Sequence, residues 1–114
     1  MQLSYSASKI DNILVFTIEN EVINHTISSQ LKEIILMEFT GECENVILDL
    51  SNVKEMDSSG LGAILFGKRQ AHNCGGDLYL VGVAPSIMNM MQIAQLSRSF
   101  AFFDTLEEAL ESLD

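Results

Sequence analysis

Cysteine, basic residues and proline are all scarce in this sequence, and each shortage excludes a class of protein. The two cysteines, Cys43 and Cys74, are too few for a disulfide framework or a four-ligand metal site, so we expect reduced thiols and no bound metal. Six Lys and Arg oppose sixteen Asp and Glu, which gives a net charge of −10. That charge repels phosphate backbones and anionic lipid head groups, so we expect neither direct nucleic-acid binding nor membrane insertion.

Long apolar runs are also missing. The longest nearly apolar stretch, residues 78–84, is too short to span a bilayer, and no basic start leads into an apolar run, so we expect no signal peptide. With one proline and 47% hydrophobic residues, the composition is that of a globular chain. We therefore expect residues 1–114 to form a single cytoplasmic domain.

Strand and helix patterns alternate along the chain. Strands are predicted over residues 3–8, 13–18, 46–50, 78–83 and 100–103. The first two are expected to form a hairpin around a turn at Asp11 and Asn12. Helices are predicted up to about Phe39, after a cap at Asn24 or Thr26, and over about 58–73, 85–94 and 106–113. This order predicts an α/β fold with one small mixed sheet of four to five strands and about four helices.

Catalytic patterns are weak. Ser58 or Ser59 would need a general base to act as a nucleophile, and neither of the two histidines is paired with a carboxylate by the sequence. The G-x-S-x-G pattern is not met, because Asp57 and Leu61 stand where it requires glycine. We therefore predict that the chain is not an enzyme and needs no cofactor.

The junction between the 46–50 strand and the 58–73 helix carries the remaining signal. The segment around Gly60 and Gly62 has neither the lysine nor the spacing of a nucleotide-binding loop. The simplest interpretation is that Asp57 caps a helix that packs tightly through its glycines. A second interpretation is chemical. Serines at a helix start lie beside unpaired backbone N–H groups, and a phosphate added there would change the local charge by about −1.5 to −2.

Residues 46–65, VILDLSNVKEMDSSGLGAIL, resemble the core of STAS domains, the anti-sigma factor antagonists. The resemblance continues through residues 75–85, GGDLYLVGVAP, and residues 103–109, FDTLEEA, and so covers about the last seventy residues in order. It implies a single STAS-like domain, in which the helices pack mainly on one face of the small mixed sheet.

The resemblance also implies a function, which is partner switching in bacterial transcription regulation. Unphosphorylated members of the family bind an anti-sigma factor that is also a serine kinase, and so release the sigma factor. Phosphorylation by that kinase ends the binding, and a serine phosphatase reverses the modification. Carried over to this sequence, the phosphoacceptor is Ser58, with Asp57 before it and Ser59 after it.

The family's contact surface includes this loop, the start of the helix after it and the loop before the first helix. Methionines adapt to varied partners. Met90 and Met91 fit the apolar stripe of the third helix and are expected in the core, whereas Met88 lies off it. The predicted partner-binding residues are Asn24, His25, Met56, Asp57, Ser59, Gly60, Leu61 and Met88.

Two other functions stay open. Family members often carry glycine and aspartate three residues apart before the first helix, where this sequence has Glu21 and Asn24. The chain could be a STAS binding subunit of a signalling scaffold or transport complex without a phosphorylation cycle. It could also be a small-ligand or nucleotide sensor that uses the glycine-containing loop. We further expect Gly62 to pack closely on the sheet, and Gly60 to shape the loop or admit a partner.

Overall fold

The computed structural model describes residues 2–39 and 45–113. The strands in these ranges are β1 (Tyr5–Ile10), β2 (Ile13–Ile18), β3 (Val22–Ile23), β4 (Asn45–Asp49), β5 (Glu55–Met56), β6 (Leu78–Val81) and β7 (Ala101–Phe103). The helices are α1 (His25–Glu38), α2 (Ser58–Asn73), α3 (Pro85–Ile93) and α4 (Leu106–Leu113), with a 3₁₀ turn over Ser97–Ser99. None of these helices, within the described ranges, is long and apolar enough to cross a membrane. Cys43 lies outside the described residues.

Five strands form one mixed sheet in the order β1-β2-β4-β6-β7. β1 and β2 are antiparallel and pair from Tyr5 with Ile18 to Ile10 with Ile13, so the predicted hairpin is confirmed. Asp11 makes its turn with a φ of 56°, which aspartate tolerates better than most residues. The pairs β2 with β4, β4 with β6, and β6 with β7 are parallel. The predicted α/β class and mixed sheet are therefore confirmed, although β1 begins and ends two residues later than predicted.

The helices cover the two faces of the sheet unequally. α1, α2 and α3 contribute to one hydrophobic core, in which Phe16, Leu48 and Leu80 represent the strands. The residues next to these, which point to the opposite face, form a smaller cluster with Ala109 of α4. The central strands are buried on both faces, which explains their continuous apolar runs. Three of the four described helices thus lie on one face, and this confirms the predicted arrangement.

β3 and β5 form a separate parallel ribbon that the sequence analysis missed. Val22 pairs with Glu55, and Ile23 pairs with Met56. Two residues are too few to show a periodicity, so both segments resemble loops in the sequence. The ribbon joins the segment before α1 to the segment before α2, and the backbone N–H of Asp57 donates to the carbonyl of Ile23 at 3.1 Å. It therefore brings the starts of the two helices together.

Candidate functional site

α2 begins at an aspartate cap. Asp57 has extended backbone angles, φ −91° and ψ 179°, and its Oδ1 accepts a hydrogen bond from the backbone N–H of Ser59 at 3.0 Å. This is the usual geometry of a helix N-cap. Ser58 is consequently the first residue of α2, and it is exposed. Within the described residues its hydroxyl makes no hydrogen bond, so it is accessible for modification.

The hydroxyl of Ser59 is engaged, in contrast to that of Ser58. It hydrogen-bonds the carboxylate of Asp57, and it hydrogen-bonds the hydroxyl of Ser28 on α1 at 2.9 Å. Ser28 is only 2% exposed. Two neighbouring serines with the same side chain therefore differ in environment, because one faces solvent and the other faces α1.

The hydrogen bond from the Ser59 hydroxyl is the main cause of a lowered pKa at Asp57. Desolvation is the second-largest effect and raises the pKa, whereas the backbone N–H groups of Gly60 and Ser59 and the charge of His25 lower it further. The carboxylate is therefore ionised at neutral pH. A phosphate on Ser58 would lie beside an existing negative charge.

The start of α1 supplies the other half of the site. Asn24 is its N-cap, and its Oδ1 accepts from the backbone N–H of Ile27 at 3.1 Å. Of the two caps considered, the structure selects Asn24 and places Thr26 inside the helix. His25 is the first helical residue and is exposed. Both helices thus begin at the same edge of the molecule with a polar cap.

The predicted contact residues divide into exposed and covered groups. Asn24, His25, Asp57, Ser58 and Ser59 lie together at the paired helix starts, and all are exposed or half-buried. Beside them is a shallow depression of about 200 Å³, lined by Val22, Ile23, Asn24, Glu55, Met56 and Asp57.

Met56, Gly60 and Leu61 lie beneath this surface. Met56 is 7% exposed, Leu61 is 8% exposed and Gly60 is buried, so they support the surface from below. Met88 is half-buried on α3, a helix other than the two whose starts form this surface. α3 does approach the site at Ser86, whose hydroxyl donates to the carbonyl of Lys54 at 3.2 Å. As expected, Met91 is in the core and Met90 packs partly against it.

The two glycines have environments opposite to those expected. The expectation that Gly62 packs closely on the sheet is wrong, because a Cβ built there meets nothing within 4 Å. At Gly60, a Cβ would meet the side chain of Met56, including its Sδ at 2.7 Å, and Ile23 Cγ2 at 3.3 Å. The apolar neighbours of Gly62 indicate a buried helix, but they do not show which side of it β5 touches.

Two features of the site were missed by sequence reasoning. The first is Ser28, although its position three residues before Leu31 and seven before Ile35 places it on the apolar stripe of α1. The second is an ion pair between Lys54 and Glu21, at 3.2 Å between Nζ and Oε1, with both side chains largely exposed. It joins the two segments that carry the ribbon. In the described residues, no group of three His, Cys, Asp or Glu is arranged to hold a metal ion.

Comparison with known proteins identifies the family of the chain. The family model of the STAS domain matches residues 4–109. An anti-sigma F factor antagonist from Paenibacillus polymyxa is 27% identical over 117 aligned residues, which cover 100% of this chain and 97% of that protein.

Solved structures share the fold. An anti-sigma factor antagonist from Mycobacterium paratuberculosis has a TM-score of 0.84 at 19% identity, over 96% of this chain and 92% of that one. The Bacillus cell fate determinant SpoIIAA, in its phosphorylated form, has a TM-score of 0.75 at 20% identity, over 97% and 100% of the two chains. The murine anion transporter Slc26a9 has a TM-score of 0.73 at 18% identity, over 90% of this chain and 18% of that one. The chain belongs to the STAS domain family.

Proposed function

We propose that the chain is an anti-sigma factor antagonist, a non-enzymatic binding module regulated by phosphorylation at Ser58. Its partner is an anti-sigma factor that is also a serine kinase, and a serine phosphatase restores the binding form. It acts in the cytoplasm without a cofactor and without direct contact with nucleic acid. The observation that carries the proposal is the exposed hydroxyl of Ser58, first in α2 and beside the ionised Asp57. The name of the Paenibacillus polymyxa relative supports the choice of partner.

The same position explains how a phosphate would act on binding rather than on folding. At the first residue of a helix, a phosphate lies near unpaired N–H groups and the positive end of the helix dipole, which favour negative charge. The helix start therefore tolerates the modification. A partner that docks on this edge meets about −1.5 to −2 additional charge next to Asp57, with the associated desolvation. The modified form is expected to fold normally and bind weakly.

Capture followed by phosphorylation tests the proposal. The immobilised chain is exposed to a lysate of the cells that produce it, and captured proteins are identified by mass spectrometry. We expect an anti-sigma factor with a kinase domain, which then transfers one phosphate from ATP to the chain. Ser58→Ala should abolish incorporation while partner binding is retained, and Ser29→Ala, an exposed serine on α1, should leave it unchanged. Undiminished incorporation in Ser58→Ala would show that the acceptor is another residue.

A second candidate is a STAS binding subunit without a phosphorylation cycle. It is favoured by Glu21 and Asn24, which stand where the family often has glycine and aspartate. This function predicts capture of a partner but equal affinity of the partner for the unmodified chain and for Ser58→Glu. A phosphate that does not change the affinity for the partner cannot act as a switch. Comparing the affinities of the unmodified chain and Ser58→Glu therefore separates the switched antagonist from the binding subunit without a phosphorylation cycle. Calorimetric titration with ATP and GTP tests the nucleotide-sensor alternative.

A further inference from the structure

Ser28 is a polar side chain buried in an otherwise apolar stripe. It is 2% exposed, and it lies on α1 between the buried residues Ile27 and Leu31. A buried hydroxyl is unfavourable unless it is hydrogen-bonded. The hydroxyl of Ser59 satisfies it at 2.9 Å, across a separation of 31 residues. Alanine would fill the same space without needing a partner, so the hydroxyl of Ser28 requires an explanation beyond packing.

The number of protons available shows which group donates in each of these hydrogen bonds. The hydroxyl of Ser59 lies within hydrogen-bonding distance of both the Asp57 carboxylate and the Ser28 hydroxyl, but it has one proton to donate. An ionised carboxylate accepts more strongly than a neutral hydroxyl. Ser59 therefore donates to Asp57, and Ser28 donates to the oxygen of Ser59. The three groups form a chain in which each hydrogen bond polarises the next.

We infer that Ser28 is a positioning residue, which acts through Ser59 to hold the Asp57 carboxylate at the start of α2 and keeps the Ser59 hydroxyl engaged. The carboxylate is then fixed beside Ser58 by a contact with the other helix, not by α2 alone. A second consequence, which concerns the choice of the phosphoacceptor, rests on the proposed function. Because the Ser59 hydroxyl is engaged at both its proton and its oxygen, Ser58 is the serine of this pair that accepts a phosphate.

Removing the hydroxyl of Ser28 should loosen this chain without removing any residue that meets solvent at the site. In Ser28→Ala, Ser59 loses its link to α1 and can rotate away from Asp57. The hydrogen bond that does most to lower the pKa of Asp57 is then made for less of the time. The pKa of Asp57 should rise in Ser28→Ala and rise further in Ser59→Ala, where that hydrogen bond is absent.

The first experiment is a carboxyl-detected NMR titration of Asp57 between pH 2 and pH 7 in the unmodified full chain, Ser28→Ala, Ser59→Ala and Ser29→Ala. Ser29 is the matched control, since it is the adjacent serine of α1 and is exposed. We expect the pKa of Asp57 to increase in the order unmodified, Ser28→Ala, Ser59→Ala, with Ser29→Ala equal to the unmodified chain. An unchanged pKa in Ser28→Ala would overturn the inference, and so would an equal rise in Ser29→Ala.

The second experiment uses the captured kinase and ATP on a Ser58→Ala background. Ser58→Ala and Ser58→Ala/Ser29→Ala should take up no phosphate, whereas Ser58→Ala/Ser28→Ala should gain phosphate on Ser59, located by peptide mass spectrometry. Phosphate on Ser59 in Ser58→Ala itself would overturn the role of Ser28 in selecting the acceptor. If the unmodified chain takes up no phosphate, the proposed function fails, and the titration alone decides whether Ser28 positions Asp57.

Discussion

The two ends of α2 each have an aspartate with a lowered pKa, but different neighbours lower it. At the start, the neutral hydroxyl of Ser59 has the largest effect on Asp57. Asp77 lies beyond the other end, where burial raises its pKa. Hydrogen bonds from the Lys68 side chain and the Leu78 N–H, together with the charges of Lys68 and His72, lower the pKa by more than burial raises it. Lys68 Nζ lies 2.9 Å and His72 Nε2 lies 3.5 Å from Asp77 Oδ1.

This difference separates the end that we propose as the partner-binding end from an end that holds the fold. Hydroxyl and amide donors stabilise the Asp57 carboxylate without cancelling its charge. The charge can therefore still attract or repel charged groups of a partner, and it repels a phosphate on Ser58. Lys68 cancels the charge of Asp77 and ties the last turns of α2 to the start of β6. Asp77 Oδ1 also accepts from the N–H of Leu78 at 2.7 Å. The same residue type thus stabilises packing at one end, and at the other end it lies on the surface that we propose for recognition.

The largest expected effect concerns how the start of α2 is packed. Gly60→Ala forces a Cβ against Met56 and should destabilise the chain by up to about 2 kcal/mol, since overpacking costs up to about 3 and alanine regains about 1 in helix propensity. Gly62→Ala has open space and should stabilise by about 0.5–1 kcal/mol. Chemical denaturation of both variants measures these changes in the free energy of unfolding. Equal stabilities would mean that α2 approaches β5 less closely than described.

Adding charge should affect binding at one end of α2 only. Ser58→Glu should weaken affinity for the captured anti-sigma factor at least tenfold, about 1.4 kcal/mol, because the new carboxylate adds to the uncompensated charge of Asp57. Asn73→Asp, which adds a charge at the exposed last residue of α2, should bind like the unmodified chain. Affinities are read by calorimetry, beside thermal melts that exclude unfolding. Equal weakening by both variants would remove the distinction between the ends.

Removing the cation at the end of α2 should affect stability and not binding. Lys68→Met keeps an apolar stem but loses the hydrogen bond to Asp77 and the contact 5.3 Å from the ring centre of Phe100. We expect a loss of about 1 kcal/mol, less than the roughly 1.5–3 of a hydrogen bond to a charged group, because Asp77 is 36% exposed. Arg69→Met, at the exposed neighbouring residue, is the control. A stable Lys68→Met that binds its partner poorly would contradict the comparison.

The smallest effect is on the salt dependence of the two titrations. The pKa of each aspartate is lower in the folded chain than its ordinary value, so each contributes its full stabilisation above that ordinary value and loses it as the pH falls through the folded pKa. Salt screens charge pairs more than hydrogen bonds from neutral groups. Raising the salt concentration should therefore raise the pKa of Asp77 more than that of Asp57, by NMR titration. The reverse order would mean that Asp57 depends mainly on the charge of His25.

Local signals in the sequence predicted the four helices and the five strands of the main sheet, whereas the candidate acceptor Ser58 came from the resemblance to STAS domains. Capping and turn residues act within a few positions of themselves, so Asp57 and the turn at Asp11 could be read directly, and the cap of α1 could be narrowed to Asn24 or Thr26. The end of α2 is similar, since Gly75 takes a φ of 97°, as a glycine after a helix often does. The exposed position of Ser58 follows from the cap before it.

Only the tertiary structure decided how these elements meet. A two-residue strand has no periodicity, so the ribbon of β3 and β5 exists only because its partner lies alongside it. The close packing of Gly60 and the open surroundings of Gly62 depend on which side of α2 faces that ribbon. The contact of Ser28 with Ser59 depends in the same way on the approach of two helices far apart in sequence. Sequence patterns report the surroundings of a residue along its own element, whereas these contacts come from the packing of one element on another.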